Sequence, residues 1–471
     1  MALASRNDVG STVTPYFDDE WPSPGRSRNP LGFDGYAPPG PDTESVRTGL
    51  VRAPRGDYVL IECDFRRQGG TMGVVAGEMV VQAYARATEL RLPVAQIVSS
   101  GGARLQEGFF ALMQMGRTAS AVAAHRSAGL RSAVAFRSPS TGGVFASWAN
   151  STDVRAGDPG AVIGFGGPRV VESVTGIYPP KTSHTAEAAF RDANIDALVP
   201  AEQHQRWLEQ ALGLREGPAL VVSLTDPADA EPGRDEWGAL QAVRDPRHPS
   251  GMDWAAWLVD EWIELRGQGP RFRAGIARIG ERDVVVIAMD RNRAGGPLSL
   301  PTPRDFRLAR RAIALADRTG MPLLTLIDTP GADPSPDSEY EGLAREIAHT
   351  LLDMASLRSP TVALCVGEGG SGGAMALAHS DTLYMLEGTV FAVIGPEAGS
   401  AVLYRDATRA PQLASLMRIS AVDLASCGVV DGVLPRRIDK VRQAILGALE
   451  PERMRGRDRR PDLATYAAIE R

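Results

Sequence analysis

The chain has 471 residues and a formal net charge of -6, with 43% of its residues hydrophobic and 23% charged. This length predicts two or three folded domains rather than one compact core, and the mild acidity argues against nucleic acid as a partner. No apolar run reaches the roughly 18 residues of a membrane span and no signal peptide is evident, so we expect no membrane partner and a cytoplasmic location.

Residues 1–50 are rich in Pro, Gly, Asp and Arg and show little periodicity, which is typical of an arm that lies on the domain surface or is partly disordered. Short apolar runs then alternate with helical stretches over residues 51–225, the pattern of an α/β domain. Within that domain, Val94–Ser99 and Ser132–Phe136 predict strands, and Gln106–Ala128 predicts a helix between them.

The next segment, residues 226–270, is polar and contains prolines, and it ends in a helical pattern over Trp254–Leu265. It predicts a connector between domains. A second α/β domain is predicted over residues 271–450, followed by a C-terminal tail over 451–471. Three strands are predicted in the second domain: Asp283–Met289, Pro322–Ile327 and Pro360–Val366.

Glycine turns recur at matched spacing in the two halves. Gly101 and Gly142 each follow a predicted strand and lie 41 residues apart, and Gly331 and Gly372 repeat that interval. An Ile-Gly pair then follows after 22 residues in the first half and after 23 residues in the second. Three features in the same order predict a duplicated domain.

A strand that ends in two glycines and opens a helix exposes backbone N–H groups, because glycine permits unusual torsions and the close approach of a ligand. Two such turns that converge in one domain direct two N–H donors at a single oxygen, which is an oxyanion hole. The alternative is that each glycine pair only makes a tight turn. Four turns at matched spacing favour the oxyanion hole.

Several longer motifs surround these turns. In the first half they are Gly-Gly-Thr-Met-Gly (69–73), Ser-Gly-Gly-Ala-Arg-Leu-Gln-Glu-Gly (100–108), Leu-Met-Gln-Met (112–115), Gly-Gly-Val-Phe-Ala-Ser (142–147) and Ile-Gly-Phe-Gly-Gly-Pro-Arg-Val (163–170). These resemble the beta carboxyltransferase subunit of bacterial acetyl-CoA carboxylase. In the second half they are Leu-Ile-Asp-Thr-Pro-Gly-Ala (326–332), Gly-Glu-Gly-Gly-Ser-Gly-Gly-Ala (367–374) and Val-Ile-Gly-Pro-Glu (393–397), which resemble its alpha subunit.

The resemblance implies two tandem crotonase-like domains, each a β-β-α superhelix, with acyl-CoA bound chiefly by the first and biotin by the second. It implies that one set of backbone groups holds the thioester oxygen as its enolate forms and that a second set holds the ureido oxygen of biotin. The first set is Gly102, Ala103, Gly142 and Gly143, and the second is Gly331, Ala332, Gly372, Gly373 and Ala374. Further contacts with the substrate or with biotin are expected at Gly101, Arg104, Gly370, Ser371 and Gly395. In this family the biotin nitrogen is thought to take the α-proton after CO2 leaves.

Charged side chains near the turns have more than one interpretation. Glu107 either complements the N-terminal dipole of a helix or acts as an acid or base, and we favour the dipole. Glu368 is expected to hold the geometry of its turn rather than to titrate in catalysis. Arg104 either meets a phosphate of CoA or is solvated or ion-paired.

Two departures from the family pattern stand out. The zinc ribbon that usually opens the beta subunit is absent, because the first cysteine, Cys63, already lies inside the first domain, and we expect no metal site. Asp333 stands where the family usually has tyrosine. This change leaves the acyl substrate and the direction of carboxyl transfer open.

The resemblance implies carboxyl transfer from carboxybiotin to a short acyl-CoA such as acetyl- or propionyl-CoA. A decarboxylase of malonyl-type thioesters and an inactive scaffold subunit are the alternatives. The only two lysines, Lys181 and Lys440, lack the methionine neighbours of a biotin attachment site and cannot complete a P-loop. We therefore expect biotin on a separate biotin carboxyl carrier protein, a separate biotin carboxylase subunit, and a homo-oligomer that is a dimer or larger.

Overall fold

The structure is a computed structural model that describes residues 17–180, 182–222, 235–291 and 300–450. The chain divides between Gly217 and Pro218 into two compact units, each with its own sheet. The expectations for residues 1–16, for Lys181 and for the tail over 451–471 lie outside the described residues.

The first unit is built on eight strands and six α-helices among its described residues. The strands are β1 (Asp19–Trp21), β2 (Val46–Ala53), β3 (Gly56–Cys63), β4 (Val94–Ser100), β5 (Ser132–Thr141), β6 (Val154–Gly157), β7 (Ile163–Gly164) and β8 (Ala197–Leu198). The helices are α1 (Val74–Leu90), α2 (Phe109–Ser127), α3 (Gly142–Phe145), α4 (Pro168–Thr175), α5 (Ala186–Arg191) and α6 (His204–Ala211).

The sheet of the first unit has the order β1-β2-β3-β4-β5-β6-β8, and β7 pairs with the end of β5. The pairs β1/β2 and β2/β3 are antiparallel, and the others are parallel. All seven residues of β4 are buried, as expected of a central parallel strand covered on both faces. Helix α1 packs on β2 and β3 through a stripe of small and apolar residues that includes Ala76, Val80, Ala83 and Ala87.

The second unit is built on eight strands and ten α-helices among its described residues. The strands are β9 (Glu261–Leu265), β10 (Phe272–Ile279), β11 (Arg282–Met289), β12 (Leu323–Thr329), β13 (Thr361–Gly370), β14 (Thr382–Leu386), β15 (Val390–Ala392) and β16 (Gly432–Leu434). The helices are α7 (Glu236–Val243), α8 (Gly251–Leu258), α9 (Pro303–Thr319), α10 (Pro336–Tyr340), α11 (Leu343–Ser356), α12 (Ser371–Ala378), α13 (Pro396–Tyr404), α14 (Ala410–Leu416), α15 (Ala421–Ser426) and α16 (Ile438–Ala448).

The two sheets have the same topology, which confirms the predicted duplication. The second sheet runs β9-β10-β11-β12-β13-β14-β16, and β15 pairs with the end of β13 just as β7 pairs with the end of β5. In both sheets the first two pairs are antiparallel and the rest are parallel. The strands predicted from the sequence are all present, and most extend further than predicted.

Two predicted boundaries are wrong. The arm does not end at residue 50, because β1 and the start of β2 at Val46 already belong to the first sheet. The connector is also misplaced, because α7, α8 and β9 all belong to the second unit. The helix predicted over Trp254–Leu265 is in fact α8 followed by the edge strand β9, since the buried Trp254 and Leu258 enter the core before the chain turns to pair with β10.

Candidate active site

The first unit brings its two glycine turns into contact. One turn follows β4 and contains Gly102, with φ of +107°; the other follows β5 and begins at Gly142, with φ of +65°. A methyl group added at Gly142 would lie 2.8 Å from the Cα of Gly102, and one added at Gly102 would lie 2.9 Å from the Cα of Gly142. Only glycine permits both torsions and this approach, so the convergence expected from the sequence is present here.

Two N–H groups at this contact are free to bind a ligand. The Met72 N–H donates to the Gly102 carbonyl at 2.8 Å, so the N–H at the other side of that trans peptide, on Ala103, faces away from Met72. The Gly143 N–H belongs to the first turn of α3, where backbone donors have no partner within the helix. Among the described residues neither N–H has a hydrogen-bond acceptor. They are the candidate oxyanion donors of the first unit.

The second unit repeats this arrangement. The turn after β12 contains Gly331, whose carbonyl accepts the Thr329 hydroxyl at 2.6 Å, so the Ala332 N–H faces the opposite way. A methyl group added at Gly373 would lie 2.8 Å from the Gly331 carbonyl carbon and 2.9 Å from the Ala332 nitrogen. The turns after β12 and β13 therefore touch as closely as those of the first unit.

The structural equivalence corrects the register of the repeat by one residue. Ser100 pairs with Ser140 in the first sheet, and Thr329 pairs with Gly369 in the second. This pairing makes Gly102 equivalent to Gly331. It also makes Ser371, with φ of +54°, the residue equivalent to Gly142. The spacing that matched Gly101 with Gly331 and Gly142 with Gly372 was wrong because the left-handed residue of the second turn is a serine.

The same equivalence bears on the predicted donors of the second turn. Gly372 takes the place of Gly143, and its exposed backbone lies in the first turn of α12. Ala374 is fully buried at the fourth position of that helix. The Ile-Gly pair at Gly395 is also not equivalent to β7, because β15 occupies that position and Gly395 lies at the start of α13.

The expectation that Arg104 meets a phosphate of CoA is wrong. Its side chain is 1% exposed and forms ion pairs with Glu44 and Glu107, as the alternative interpretation held. Glu107 also accepts the Val74 N–H at 2.6 Å, so it complements the N-terminus of α1 rather than that of the helix that follows it. Both side chains are buried, and they are structural parts of the first turn.

The other glycines predicted to contact ligands have different settings. Gly101 is exposed and donates its N–H to the Gly69 carbonyl at 2.9 Å. Gly370 is buried at the end of β13, where an added methyl would lie 2.0 Å from the Pro330 carbonyl oxygen. Gly370 therefore lets the two turns of the second unit approach each other.

Asp333 follows the second-unit turn but is occupied by local hydrogen bonds. Its carboxylate accepts the hydroxyls of Ser335 and Ser338 at 2.7 and 2.6 Å. Burial alone would raise the pKa of Asp333, but these hydrogen bonds together hold it below its usual range. The residue that departs from the family pattern shapes the start of α10.

Glu368 holds the end of β13 through a paired arginine, consistent with the structural interpretation of this residue. Its carboxylate is 4% exposed and accepts two hydrogen bonds from Arg244, at 2.6 and 2.7 Å. Arg244 also donates to Glu397 at 2.6 Å. This pair was not predicted from the sequence, because Arg244 lies on the segment interpreted as a connector.

We expect Arg244→Met to lower the free energy of unfolding by about 3 kcal/mol, because it leaves the buried Glu368 carboxylate without its partner. Arg247→Met is the matched control, since Arg247 is 88% exposed and forms its ion pair with the nearby Asp245. The control should leave the free energy of unfolding close to that of the wild type. Urea unfolding of both variants measures the difference, and equal stabilities would contradict the bracing role of Arg244.

A second buried pair lies beside the same turn. Asp328, at the end of β12, is fully buried, receives two hydrogen bonds from Arg291 and accepts the Glu368 N–H at 3.2 Å. Burial raises the pKa of Asp328 to about 6, although Arg291 opposes the shift. This carboxylate links the ends of β12 and β13, which carry the two turns.

We expect turnover at this site to fall as the pH drops below about 6, because protonation of Asp328 weakens the link between the two strand ends. The stability of the fold should change in the opposite direction. Above about pH 6 the ionised Asp328 carboxylate destabilises the folded state, and this destabilisation is lost as the pH falls from about 6 toward the ordinary pKa of an aspartate. A pH–rate profile from about pH 5 to 8 measures the activity limb, with Asp328→Asn as the variant that should lack it. A wild-type rate that stays flat down to pH 5 would contradict this role.

A cavity of about 360 Å³ opens beside the second turn of the second unit. Ser371 and Gly372 lie at its wall, and the remaining wall is mostly apolar. The apolar residues include Met375, Leu383, Phe391, Val393, Leu424 and Val430. A ligand with a polar edge toward the turn and an apolar body fits this site.

Metal sites and membrane-spanning helices are both absent among the described residues. No group of three or more His, Cys, Asp or Glu side chains there is arranged to hold a metal ion. No described helix is both long enough and apolar enough to cross a membrane. Two of the three cysteines, Cys63 and Cys365, are buried, and Cys427 is half-buried.

Comparison with known proteins gives consistent matches over both units. Residues 44–195 match the family described as carboxyl transferase domain. Residues 233–448 match the family described as acetyl co-enzyme A carboxylase carboxyltransferase-like.

Two curated relatives cover most of the chain. A protein of Salinispora tropica named acetyl-coenzyme A carboxylase carboxyl transferase subunits beta/alpha is 37% identical over 442 residues, which are 87% of this chain and 78% of the relative. A protein of Mycobacterium bovis named probable biotin-dependent acyl-coenzyme A carboxylase beta3 subunit is 35% identical, over 86% of this chain and 83% of the relative.

Among solved structures, transcarboxylase 12S, a hexamer crystallised with methylmalonyl-coenzyme A and methylmalonic acid, matches with a TM-score of 0.77. The match covers 96% of this chain and 90% of that chain at 22% identity. It confirms the expected fold of two tandem crotonase-like domains.

Proposed function

Because this chain belongs to the family of carboxyltransferases of biotin-dependent acyl-CoA carboxylases, we propose that it moves a carboxyl group from carboxybiotin to the α-carbon of acetyl- or propionyl-CoA. One observation carries the proposal: each unit has a pair of touching turns with free N–H donors. The reaction places negative charge on two oxygens, one on each reactant. Two sets of fixed dipoles match that requirement.

In this proposal the first unit holds the thioester. The N–H groups of Ala103 and Gly143 donate to the thioester oxygen, and their hydrogen bonds strengthen as the enolate forms. Neither residue has a side-chain nucleophile, so this unit acts on charge and position. Gly102 and Gly142 serve by permitting the contact between the turns.

The second unit holds biotin, whose ring has a polar ureido edge and an apolar body. The cavity beside Ser371 and Gly372 fits such a ring, because its wall is apolar apart from the turn. The N–H groups of Ala332 and Gly372 would hold the ureido oxygen, and Phe391 and Met375 would cover the ring. When bound, biotin supplies the carboxyl group; the chain orients it and limits the access of water.

Partners follow from the reaction. A biotin carboxyl carrier protein would present the ring, and a biotin carboxylase subunit would charge it, as the family membership implies. The cytoplasmic location expected from the sequence stays a prediction.

The experiment is to incubate the purified chain with malonyl-CoA and methylmalonyl-CoA, each with and without free biotin. Loss of the thioester's carboxylate that depends on biotin supports the carboxyltransferase and identifies the preferred acyl chain. Loss without biotin would instead support the decarboxylase, and no loss in a folded chain would support the scaffold.

We further propose that the active site is completed between copies of the chain, with the first unit of one copy opposite the second unit of another. Large apolar side chains are exposed beside each turn, including Leu105 at 80% and Phe109 at 71% in the first unit and Val393 at 76% in the second. Exposed apolar groups of this kind mark association surfaces. The hexamer of transcarboxylase 12S supports an oligomer.

Mixing two inactive variants tests this assembly. Gly142→Ala damages only the first unit and Gly373→Ala only the second, so a mixed dimer would contain one intact site. Subunits exchanged at equal concentration should recover about a quarter of wild-type activity if the copies form dimers. A mixture that shows subunit exchange but stays inactive would contradict sites shared between copies.

A further inference from the structure

We infer that Arg104 is a positioning residue: its buried guanidinium, held from the N-terminal arm, aims the Ala103 N–H at the thioester oxygen. The inference deepens the proposed function and rests on the assignment of acyl-CoA to the first unit. Arg104 would touch no substrate, because its side chain is only 1% exposed. It would act through two peptide groups.

Several partners fix the position of the Arg104 guanidinium. It pairs with the carboxylate of Glu44, which belongs to the arm, and with Glu107 at 3.0 Å. It donates to the Ser27 hydroxyl at 3.1 Å and to the Thr71 carbonyl at 2.8 Å. Burial alone would raise the pKa of Glu44, but the hydrogen bond from Arg104 holds it below its usual range. The planar guanidinium therefore has one orientation.

Two peptide groups connect the guanidinium to the proposed donor. The Thr71 carbonyl accepts from Arg104, and the N–H of the same peptide, on Met72, donates to the Gly102 carbonyl at 2.8 Å. The N–H at the far side of the Gly102 peptide is that of Ala103. Because trans peptides are planar, fixing the Thr71 carbonyl fixes the direction of the Ala103 N–H. Hydrogen bonds in such a chain also polarise one another, which strengthens the last donor.

Met72 forms a second backbone hydrogen bond with the same turn, at Arg104. The Arg104 N–H donates to the Met72 carbonyl at 3.0 Å, so Met72 is bonded to the residues on both sides of Ala103. Ser45 provides a second donor to the Thr71 carbonyl, at 2.8 Å.

The arm is part of this device. Ser27, Glu44 and Ser45 all come from the segment that precedes β2. Tyr36 lies in the same segment, and its hydroxyl donates to Glu107 at 3.4 Å. Residues 27–45 therefore help to hold the first turn.

The second unit offers an internal contrast. The position equivalent to Arg104 is Asp333. Its N–H donates to the Pro301 carbonyl at 2.9 Å, as that of Arg104 does to Met72, but its carboxylate accepts from the nearby hydroxyls of Ser335 and Ser338. The Gly331 carbonyl is fixed there by the Thr329 hydroxyl. The arginine device therefore serves the first turn, where the thioester is assigned.

Three variants and one control test the inference. Glu44→Gln and Arg104→Lys weaken the buried pair. Ser45→Ala removes the second donor to the Thr71 carbonyl, together with the contacts of that hydroxyl with Glu44 and Arg104. Glu209→Gln is the control, because Glu209 is equally buried in the same unit and pairs with Arg215 at 2.6 Å. Circular dichroism and thermal unfolding show which variants fold.

The readouts are steady-state kinetics and the infrared stretch of acetyl-CoA labelled at its carbonyl carbon. In the wild type, the oxyanion hole should shift the bound carbonyl to lower frequency. We expect a smaller shift and a kcat lower by about tenfold in the three variants, which is part of the 10²–10³-fold cost of losing a whole donor. The KM for acyl-CoA should stay within about twofold, since the interaction strengthens in the transition state. The control should match the wild type.

The outcomes separate this inference from the function on which it rests. No carbonyl shift in the wild type would overturn the assignment of acyl-CoA to the first unit, and the inference with it. A wild-type shift and kcat retained in every folded variant would overturn the inference alone. If the charged variants fail to fold, Ser45→Ala decides: a wild-type shift and kcat there would overturn the inference.

Discussion

Gly373→Ala is expected to lower carboxyl transfer by about 10²–10³-fold, the cost of losing one oxyanion donor. Gly373 lies within α12, so alanine suits its backbone and favours the helix. The added methyl, however, would lie 2.9 Å from the Ala332 nitrogen and 2.8 Å from the Gly331 carbonyl carbon. Backbone atoms at that distance must move, and the Ala332 N–H moves with them.

The binding of acyl-CoA should persist in this variant, because the thioester is assigned to the other unit. Gly116→Ala is the matched control: it also adds a methyl to a helical glycine, and beyond the adjoining residues and backbone of its own helix no described heavy atom lies within 4 Å of that methyl. Label transfer from malonyl-CoA and calorimetric binding of acyl-CoA measure the two properties. Wild-type transfer by a folded Gly373→Ala protein would contradict the proposed turn geometry.

Gly142→Ala should cause a loss of similar size in the first unit, by about 10²–10³-fold in kcat. Here two effects combine. A non-glycine residue at φ of +65° is strained by about 1–2 kcal/mol, and the added methyl would lie 2.8 Å from the Cα of Gly102. The two turns are pushed apart, and the Gly143 N–H loses its aim at the thioester oxygen.

Gly160→Ala separates these two effects. Gly160 has φ of +78°, so alanine is strained there too, but beyond its two chain neighbours no described heavy atom lies within 4 Å of the added methyl. The control should lose stability and keep its turnover. If Gly142→Ala and Gly160→Ala have the same kcat, the contact between the turns has no catalytic role.

The repeat could be found from the sequence because its strands and turns keep their order. The strands β4, β11, β12 and β13 could be predicted because strands buried on both faces of a sheet need long apolar runs. The register was wrong by one residue because Ser371 has a left-handed backbone that its residue type does not signal. Ala374 was therefore placed among the donors, although the residue equivalent to the Gly143 donor is Gly372.

The ion pairs beside the turns could not be predicted from the sequence. Arg244 and Glu368 are 124 residues apart, and Arg104 and Glu44 are 60 residues apart. Long-range pairing leaves no local pattern, and arginine accounts for almost every basic residue in the chain. The role of residues 27–44 was also missed. Their Pro and Gly content is typical of an irregular surface segment, yet Ser27 and Glu44 contact the buried guanidinium of Arg104.

The most direct test of the account follows an isotopic label from the free carboxyl group of malonyl-CoA into biotin. The wild-type chain should transfer the label, and neither Gly142→Ala nor Gly373→Ala should do so at more than about one hundredth of the wild-type rate. Both Gly116→Ala and Gly160→Ala should transfer it at the wild-type rate. Release of the label as CO2 at the same rate with and without biotin, or full transfer by either site variant, would contradict a carboxyltransferase that uses one oxyanion hole from each unit.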